Sequence, residues 1–364
     1  MRVLFVDLER EWRGGQSQAL LTVTGLRASG YDAQLLAVVG SPLARRAEAS
    51  GVPVHVIGTE VRRMVAAYLL RRLLAKQKYD LVHVNEPHAL TCAWLAGSHR
   101  KAPLVVSRRV AYPLGKSLLA RKRYESADRI LAISKFVAKS VVDSGVPAEK
   151  VEIIYEGVEV PPPVSAEVRR SARHRWGVSD AETLFGCVGY LLPEKGQELV
   201  VRALPTVRAN FPGARLLLAG DGPCRPQLEA LTRELALEKS LIFAGFIEDV
   251  SQVYAALDAF VFPSLAEPLG TSLLAAMAWG LPVIAVASGG VPEYVENSAT
   301  GLLTTQSDLR LFSLAMLRLL SDAGLAKRLG AAARNAIQAR FTADNMVENT
   351  IRLYKRVVVE AQKS

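Results

Sequence analysis

Three cysteines in 364 residues, Cys92, Cys187 and Cys224, are too few and too scattered for a disulfide framework or a cysteine zinc site. Their odd number points the same way and fits a reducing compartment. Metal-ligand spacing is missing elsewhere too. No Asp-x-Asp and no His/Cys/Asp cluster occurs, so neither a catalytic metal nor a resident cofactor is expected. No uninterrupted apolar run reaches the roughly 18 residues of a spanning helix. The longest, at 272–286, is broken by Gly280 and Pro282. The start does not read as a secretory signal, because the apolar run of MRVLFVD is short and ends at Asp7. A cytoplasmic protein is therefore expected, with peripheral contact on the inner face of the cell membrane as a further option.

What is present is apolar and ordered. Half of the residues are hydrophobic and 22% are charged, enough for two domains with real cores. The net charge of +10 is uneven: residues 1–160 hold 24 Lys and Arg against 15 Asp and Glu, whereas 161–364 hold 21 against 20. Such an excess suits an anionic partner such as a phosphorylated substrate, an anionic membrane or nucleic acid, and equally a solubilising surface. Nucleic acid is the poorest of these, because the basic residues are not interleaved with exposed aromatics.

Short apolar runs alternate with helical spacing along the first half. Strands are expected at 2–7, 33–39, 54–57, 80–84, 104–107, 129–133 and 151–155, with helices at 16–28, 42–50, 62–77 and 88–99. GVEVPPPVS (157–165) interrupts the pattern as a semi-rigid linker. Strands resume at 184–189, 214–220, 241–245, 259–263 and 282–286, and a helix with Met346, Ile351, Leu353 and Val357 on its apolar positions closes the chain. Alternation of this kind means an α/β fold with parallel sheets. Two tandem doubly wound Rossmann-like domains are expected, with a ligand cleft at the carboxyl ends of their strands.

The most informative stretch is PSLAEPLGTSLLAAMAWGLPVIA (263–285). A strand ends at Pro263, a loop carries Glu267 and Gly270, and a helix begins near Thr271 or Ser272. Free N–H groups and the positive dipole end of that helix suit a diphosphate. Taken alone, Glu267 is equally a solvated acid beside a helix start. His83 is expected to face inward as a structural residue. His88 follows it in a loop at the strand mouth, as a ligand contact or a simple cap. LGKSLLARKRYE (114–125) mixes Leu114, Leu118 and Leu119 with Lys116, Arg121, Lys122 and Arg123. It reads either as a basic amphipathic helix on an anionic bilayer or as a core-facing helix with a solvated basic face.

In this stretch and several others the sequence resembles the retaining glycosyltransferases of family 4, which have the GT-B fold. The matching pieces run in order along nearly the whole chain: the Gly14–Gly15 loop, DLVHVNEPH (80–88), GVPAEKVEIIYEGVE (145–159), GYLLPEKGQ (189–197), LLLAGDGP (216–223), FAGFIEDVSQVYAALDAFVFPS (243–264) and SGGVPEYVENSATGLL (288–303). The resemblance implies a metal-independent transferase. Residues 165–344 would hold a nucleotide-sugar donor, and residues 1–160, with the helix 345–364 packed back on them, would hold the acceptor. Lys195 would face the donor diphosphate and Glu267 the donor sugar. Gly14 and Gly15 would approach the phosphates together with Gly270, Thr271 and Ser272, and the backbone at Gly245 and Phe246 would hold the base. The acceptor implied is a lipid-linked or cell-surface glycan precursor, as in cell-envelope or lipopolysaccharide synthesis.

Three positions depart from the family pattern. Ala275 stands where a second Glu should grip the ribose, and Tyr190 where an arginine often follows the glycine. Arg109 is the nearest match to the active-site His. Arg108 or Arg109 could supply the missing phosphate cation, since a guanidinium pairs well with phosphate oxygens. Both also read as surface arginines at a strand end. The departures leave two alternatives open: a catalytically weak relative acting as a binding or scaffold subunit, and a sugar-nucleotide epimerase.

Overall fold

The computed structural model describes residues 1–58, 63–115, 118–305 and 308–363. Arg62, Lys116 and Ser364, all within expected helices, lie outside the described residues. The chain forms two compact units, Met1–Gly157 with Ala343–Ser364, and Val158–Thr342.

The strands of unit 1 are β1 (Arg2–Val6), β2 (Asp32–Val38), β3 (Val54–Ile57), β4 (Leu81–Val84), β5 (Leu104–Arg108), β6 (Arg129–Ala132) and β7 (Val151–Ile153). They form one sheet in the order β3-β2-β1-β4-β5-β6-β7, every pair parallel. Its helices are α1 (Gly14–Ala28), α2 (Pro42–Ala49), α3 (Arg63–Lys76), α4 (Pro87–Ala96), α5 (Leu118–Glu125) and α6 (Lys135–Asp143). The central strands read as continuous apolar runs because helices cover both faces of a parallel sheet. Leu4, Val6, Val82, Val84, Leu104 and Val106 belong to one buried cluster.

Unit 2 contains α7 (Ala166–Arg175), β8 (Thr183–Val188), α8 (Gln197–Asn210), β9 (Ala214–Ala219), α9 (Arg225–Glu234), β10 (Leu241–Gly245), α10 (Ser251–Ala256), β11 (Ala259–Phe262), α11 (Thr271–Ala278), β12 (Val283–Val286), β13 (Leu302–Thr304), α12 (Leu309–Ser321) and α13 (Ala323–Arg340). Its sheet runs β10-β9-β8-β11-β12-β13, again all parallel. The three-residue β13 is too short to leave a periodic signal, and the sequence reading missed it.

Helix α14 (Ala343–Lys363) returns to unit 1. Its buried positions, Met346, Val347, Thr350, Leu353, Tyr354 and Val357, form one stripe at helical spacing. Each apolar side chain buried there contributes roughly 1.5–3 kcal/mol. At the unit boundary, Val158 N–H donates to Phe341 O at 2.9 Å, and Arg334 Nη2 donates to Pro161 O at 2.6 Å, which fastens the proline segment to α13.

In both sheets the strand order reverses at one point, between β1 and β4 in unit 1 and between β8 and β11 in unit 2. The crevice beyond the carboxyl ends of such strands is where open α/β sheets bind ligands.

Candidate active site

At the reversal point of unit 2, the chain leaving β8 makes a single 3-10 turn, Pro193–Lys195, closed by Gly196 at φ +67°. A Cβ on Gly196 would lie 2.3 Å from Pro263 O, so only glycine lets this turn rest on the loop after β11. The loop after β11 is tied both to this turn and to the loop after β12. Leu265 N–H donates to Glu194 O at 2.8 Å, and Gly290 N–H donates to Glu267 O at 2.9 Å. Ser288 Oγ donates to Ser264 O at 2.6 Å.

This framework brings together two of the expected residues, 72 positions apart in sequence. Lys195 Nζ lies 2.7 Å from Glu267 Oε2, with the Glu side chain 7% and the Lys side chain 29% exposed. Ser264 Oγ donates to the same Oε2 at 2.9 Å. Among the described residues nothing bonds Glu267 Oε1, which stays open to accept a hydroxyl. Three residues on, Gly270 begins α11 at φ +100°, where a Cβ would crowd Phe262 Cζ and Tyr294 Oη at 3.0 Å. No side chain caps α11. Leu273 and Leu274 N–H both turn back to Gly270 O, so the N–H groups of Thr271 and Ser272 form the leading edge. Tyr254 holds that edge by donating to Ser272 O at 3.0 Å. A carboxylate clamped by a lysine beside an uncapped helix start can bind a diphosphate and one sugar hydroxyl. Gly245 closes β10, and Phe246 after it is 64% exposed. Ala275 sits on α11 with no polar group, and Tyr190 is exposed.

The reversal point of unit 1 is built differently. Asp7, after β1, and Asn85, after β4, are both buried. Asp7 accepts from Gln16 Nε2 at 3.0 Å, Asn85 Nδ2 at 2.6 Å and Glu9 N–H at 2.9 Å. Burial raises its carboxyl above the ordinary range against those donors. Glu86 caps α4, accepting from His88 N–H and from Ala89 N–H at 2.6 Å. Burial, then the neighbouring Asp7, pushes Glu86 up to about 8. Arg109 donates through Nε to Glu156 at 2.8 Å and through Nη1 to Asn85 Oδ1 at 2.5 Å. His83 lies deeper, between Tyr354 OH and Ser107 Oγ, and burial followed by Arg109 holds it well below its usual value.

Three expectations change here. Gly14 and Gly15 are not a loop but the first turn of α1, because Gln16 and Ser17 N–H already bond Arg13 O at 3.1 Å. His88 is likewise in the first turn of α4, exposed, because Pro87 and the Glu86 cap start the helix early. Arg108 is committed to packing within unit 1. Successive strand residues point to opposite faces, and Arg108 is buried against Tyr124 OH at 3.0 Å with its guanidinium 4.7 Å from the Tyr112 ring. Of the basic stretch 114–125, the described helix is only α5, on which Tyr124 is buried and Leu119 is 60% exposed. Asp7, Asn85, Glu86 and Glu156 were missed. Their signal was positional: the first two follow the very strands that flank the reversal.

Residues 12–160 match the family model described as Glycosyltransferase Family 4, and residues 168–336 the model described as Glycosyl transferases group 1. The chain belongs to the family 4 glycosyltransferases. This glycosyltransferase is 28% identical to the GDP-mannose-dependent alpha-(1-6)-phosphatidylinositol monomannoside mannosyltransferase of Mycobacterium tuberculosis, over 95% of its own length and 96% of the relative's. It is 30% identical over 238 residues to an uncharacterised glycosyltransferase of Methanocaldococcus jannaschii, a match that spans 64% of this chain and 60% of that relative. In fold it is similar to Anabaena HepE, solved in complex with UDP and glucose, with a TM-score of 0.86, 23% identity, and coverage of 98% of this chain and 99% of that one. The fold is GT-B, two Rossmann-like domains. Among the described residues, no group of three or more His, Cys, Asp and Glu side chains could hold a metal ion. No described helix is long and apolar enough to cross a membrane.

Proposed function

We propose that this glycosyltransferase moves a sugar from a nucleoside-diphosphate sugar to a lipid-linked or cell-surface glycan precursor, with retention of configuration and without a metal. The observation that carries this reading is the Lys195–Glu267 pair at 2.7 Å beside the uncapped start of α11. Lys195 and the Thr271 and Ser272 amides offset the charge that grows on the departing diphosphate. Glu267 accepts from a donor-sugar hydroxyl. The bond from the anomeric carbon to the diphosphate oxygen breaks, and the acceptor oxygen bonds the same face of that carbon. The acceptor proton passes to the released phosphate oxygen. No second carboxylate is required for this scheme, in contrast to a glycosidase.

A glycolipid acceptor is supported by the mannosyltransferase relative and by a surface on unit 1. The outward stripe of α3 carries Met64, Val65 and Tyr68, which are 69%, 50% and 63% exposed, followed by Arg71, Arg72 and Lys76. This stripe, rather than 114–125 alone, is the better candidate for an anionic bilayer. Cosedimentation with anionic vesicles but not with zwitterionic ones is the expected result.

The test of function is a thermal-shift screen with GDP, UDP and their sugars, followed by transfer assays with and without EDTA. A ligand at a hundred times its Kd should add about 2.7 kcal/mol of apparent stability. Absence of any shift with every nucleotide sugar would remove the proposal. Ala275 and Tyr190 favour one other reading, a subunit that binds donor without turning it over; a thermal shift with no transfer would select it.

A further inference from the structure

The reversal point of unit 1 contains one side chain, Asn85, whose two amide hydrogens and carbonyl oxygen all have partners. Asn85 Nδ2 donates one hydrogen to Asp7 Oδ2 at 2.6 Å and the other to Gly15 O at 3.3 Å, while Asn85 Oδ1 accepts from Arg109 Nη1 at 2.5 Å. The orientation of the amide is fixed by its neighbours. Arg109 can only donate, and a carboxylate and a carbonyl can only accept. Asn85 is itself anchored, buried at 3% exposure, with its N–H on Val6 O at 2.9 Å. The Arg109 stem runs against the same helix start, since a Cβ on Gly15 would stand 3.4 Å from Arg109 Cδ. Glu156 holds the far side of the guanidinium at 2.8 Å.

We infer that Asn85 is a positioning residue for glycosyl transfer, its carboxamide fixing the first turn of α1 and the Arg109 guanidinium in one register. The inference rests on the proposed transfer reaction and adds a residue that the reaction scheme does not use. No other side chain of this size fits. An Asp would set two carboxylates 2.6 Å apart and present an acceptor to Gly15 O. A Leu would leave Asp7 short of a donor and Arg109 short of an acceptor, both in a buried setting where lost bonds are costly. Polar groups at this depth are retained only when satisfied, and this one satisfies three partners at once.

The decisive variant is the swap Asp7→Asn with Asn85→Asp. It keeps the net charge, restores the amide-to-carboxylate bond between the two positions and leaves Arg109 an acceptor. The donor to Gly15 O is lost, and the new amide at position 7 turns a donor toward Gln16 Nε2, which had bonded Asp7 Oδ2. Assayed below its own melting temperature, and beside Asp7→Asn as the control for the Gln16 contact, the swap should show kcat at least tenfold lower than wild type, with KM for the donor within about threefold. Amide exchange over 14–17 should quicken in the swap whatever the turnover. Wild-type kcat in the swap, or unchanged exchange at those amides, would overturn the inference. If the swap does not fold, Asn85→Ala, assayed below its melting temperature, decides by the same kcat and exchange criteria. If the wild type shows no transfer with any donor, the functional reading fails, and exchange alone still judges the role of Asn85.

Discussion

The two reversal points of this glycosyltransferase occupy the same place in two similar sheets and solve different problems. In unit 1 the crevice is lined by side chains that bond one another: Asp7, Asn85 and Glu156, all buried, joined through the partly buried Arg109. In unit 2 it is shaped by backbone, with Gly196 and Gly270 bringing loops close and α11 starting without a cap. Among the described residues, the unit 2 ion pair still leaves Glu267 Oε1 and two helix amides without a partner. A site whose polar groups are spent on one another is rigid and selective in what it presents. One with unspent donors and an open acceptor has capacity for a ligand. Under the proposed function, nucleotide binding falls to unit 2 and alignment to unit 1.

The contrast can be broken most forcefully at Lys195 and Glu267. Lys195→Ala and Glu267→Ala should each lower transfer at least tenfold, about 1.4 kcal/mol of barrier, in a radiolabelled-donor assay. Lys195→Ala should also lower stability by about 1–3 kcal/mol, between the limits for exposed and buried pairs, because it leaves Glu267 buried without its cation. Gly196→Ala comes next. The added Cβ would meet a backbone carbonyl from a left-handed conformation, at a cost of about 1–3 kcal/mol in chemical denaturation. It should weaken nucleotide binding as well, since it moves the Lys195 turn.

A change in unit 1 sharpens the comparison from the other side. Asp7→Asn turns a donor toward the Asn85 and Gln16 amides, and should cost about 1–3 kcal/mol of stability. Its effect on nucleotide affinity should be no more than a few-fold by calorimetry. The smallest effect concerns pH. His83 is held neutral by burial, below its ordinary 6.5, whereas the unfolded chain takes up that proton freely. The stability it contributes is therefore intact above pH 6.5 and declines as pH falls below it. His83→Gln should flatten the fall in melting temperature between about pH 7 and pH 5; an unchanged slope would assign that fall to other groups.

Much of the fold was legible in the sequence because parallel strands buried on both faces leave unbroken apolar runs, and twelve of these mark strands even where no helical spacing stands out between them, as from 184 to 263. The helix start near Thr271 or Ser272 was legible as well. The Lys195–Glu267 contact was not, because no local pattern reports which loops share a reversal point. Arg108 and Arg109 could not be told apart either. Strand alternation places them on opposite faces, but only the positions of Tyr124 and Glu156 decide which arginine is spent in packing. The first turns of α1 and α4 were read as loops because glycine and proline punctuate sequence as breaks, whereas here they open helices.

The most direct measurement is calorimetric titration of GDP and UDP into the wild type and Lys195→Ala. One of the two nucleotides should bind the wild type, and the variant should bind it at least tenfold more weakly. Equal affinity in both proteins would contradict the assignment of the diphosphate to Lys195 and the start of α11.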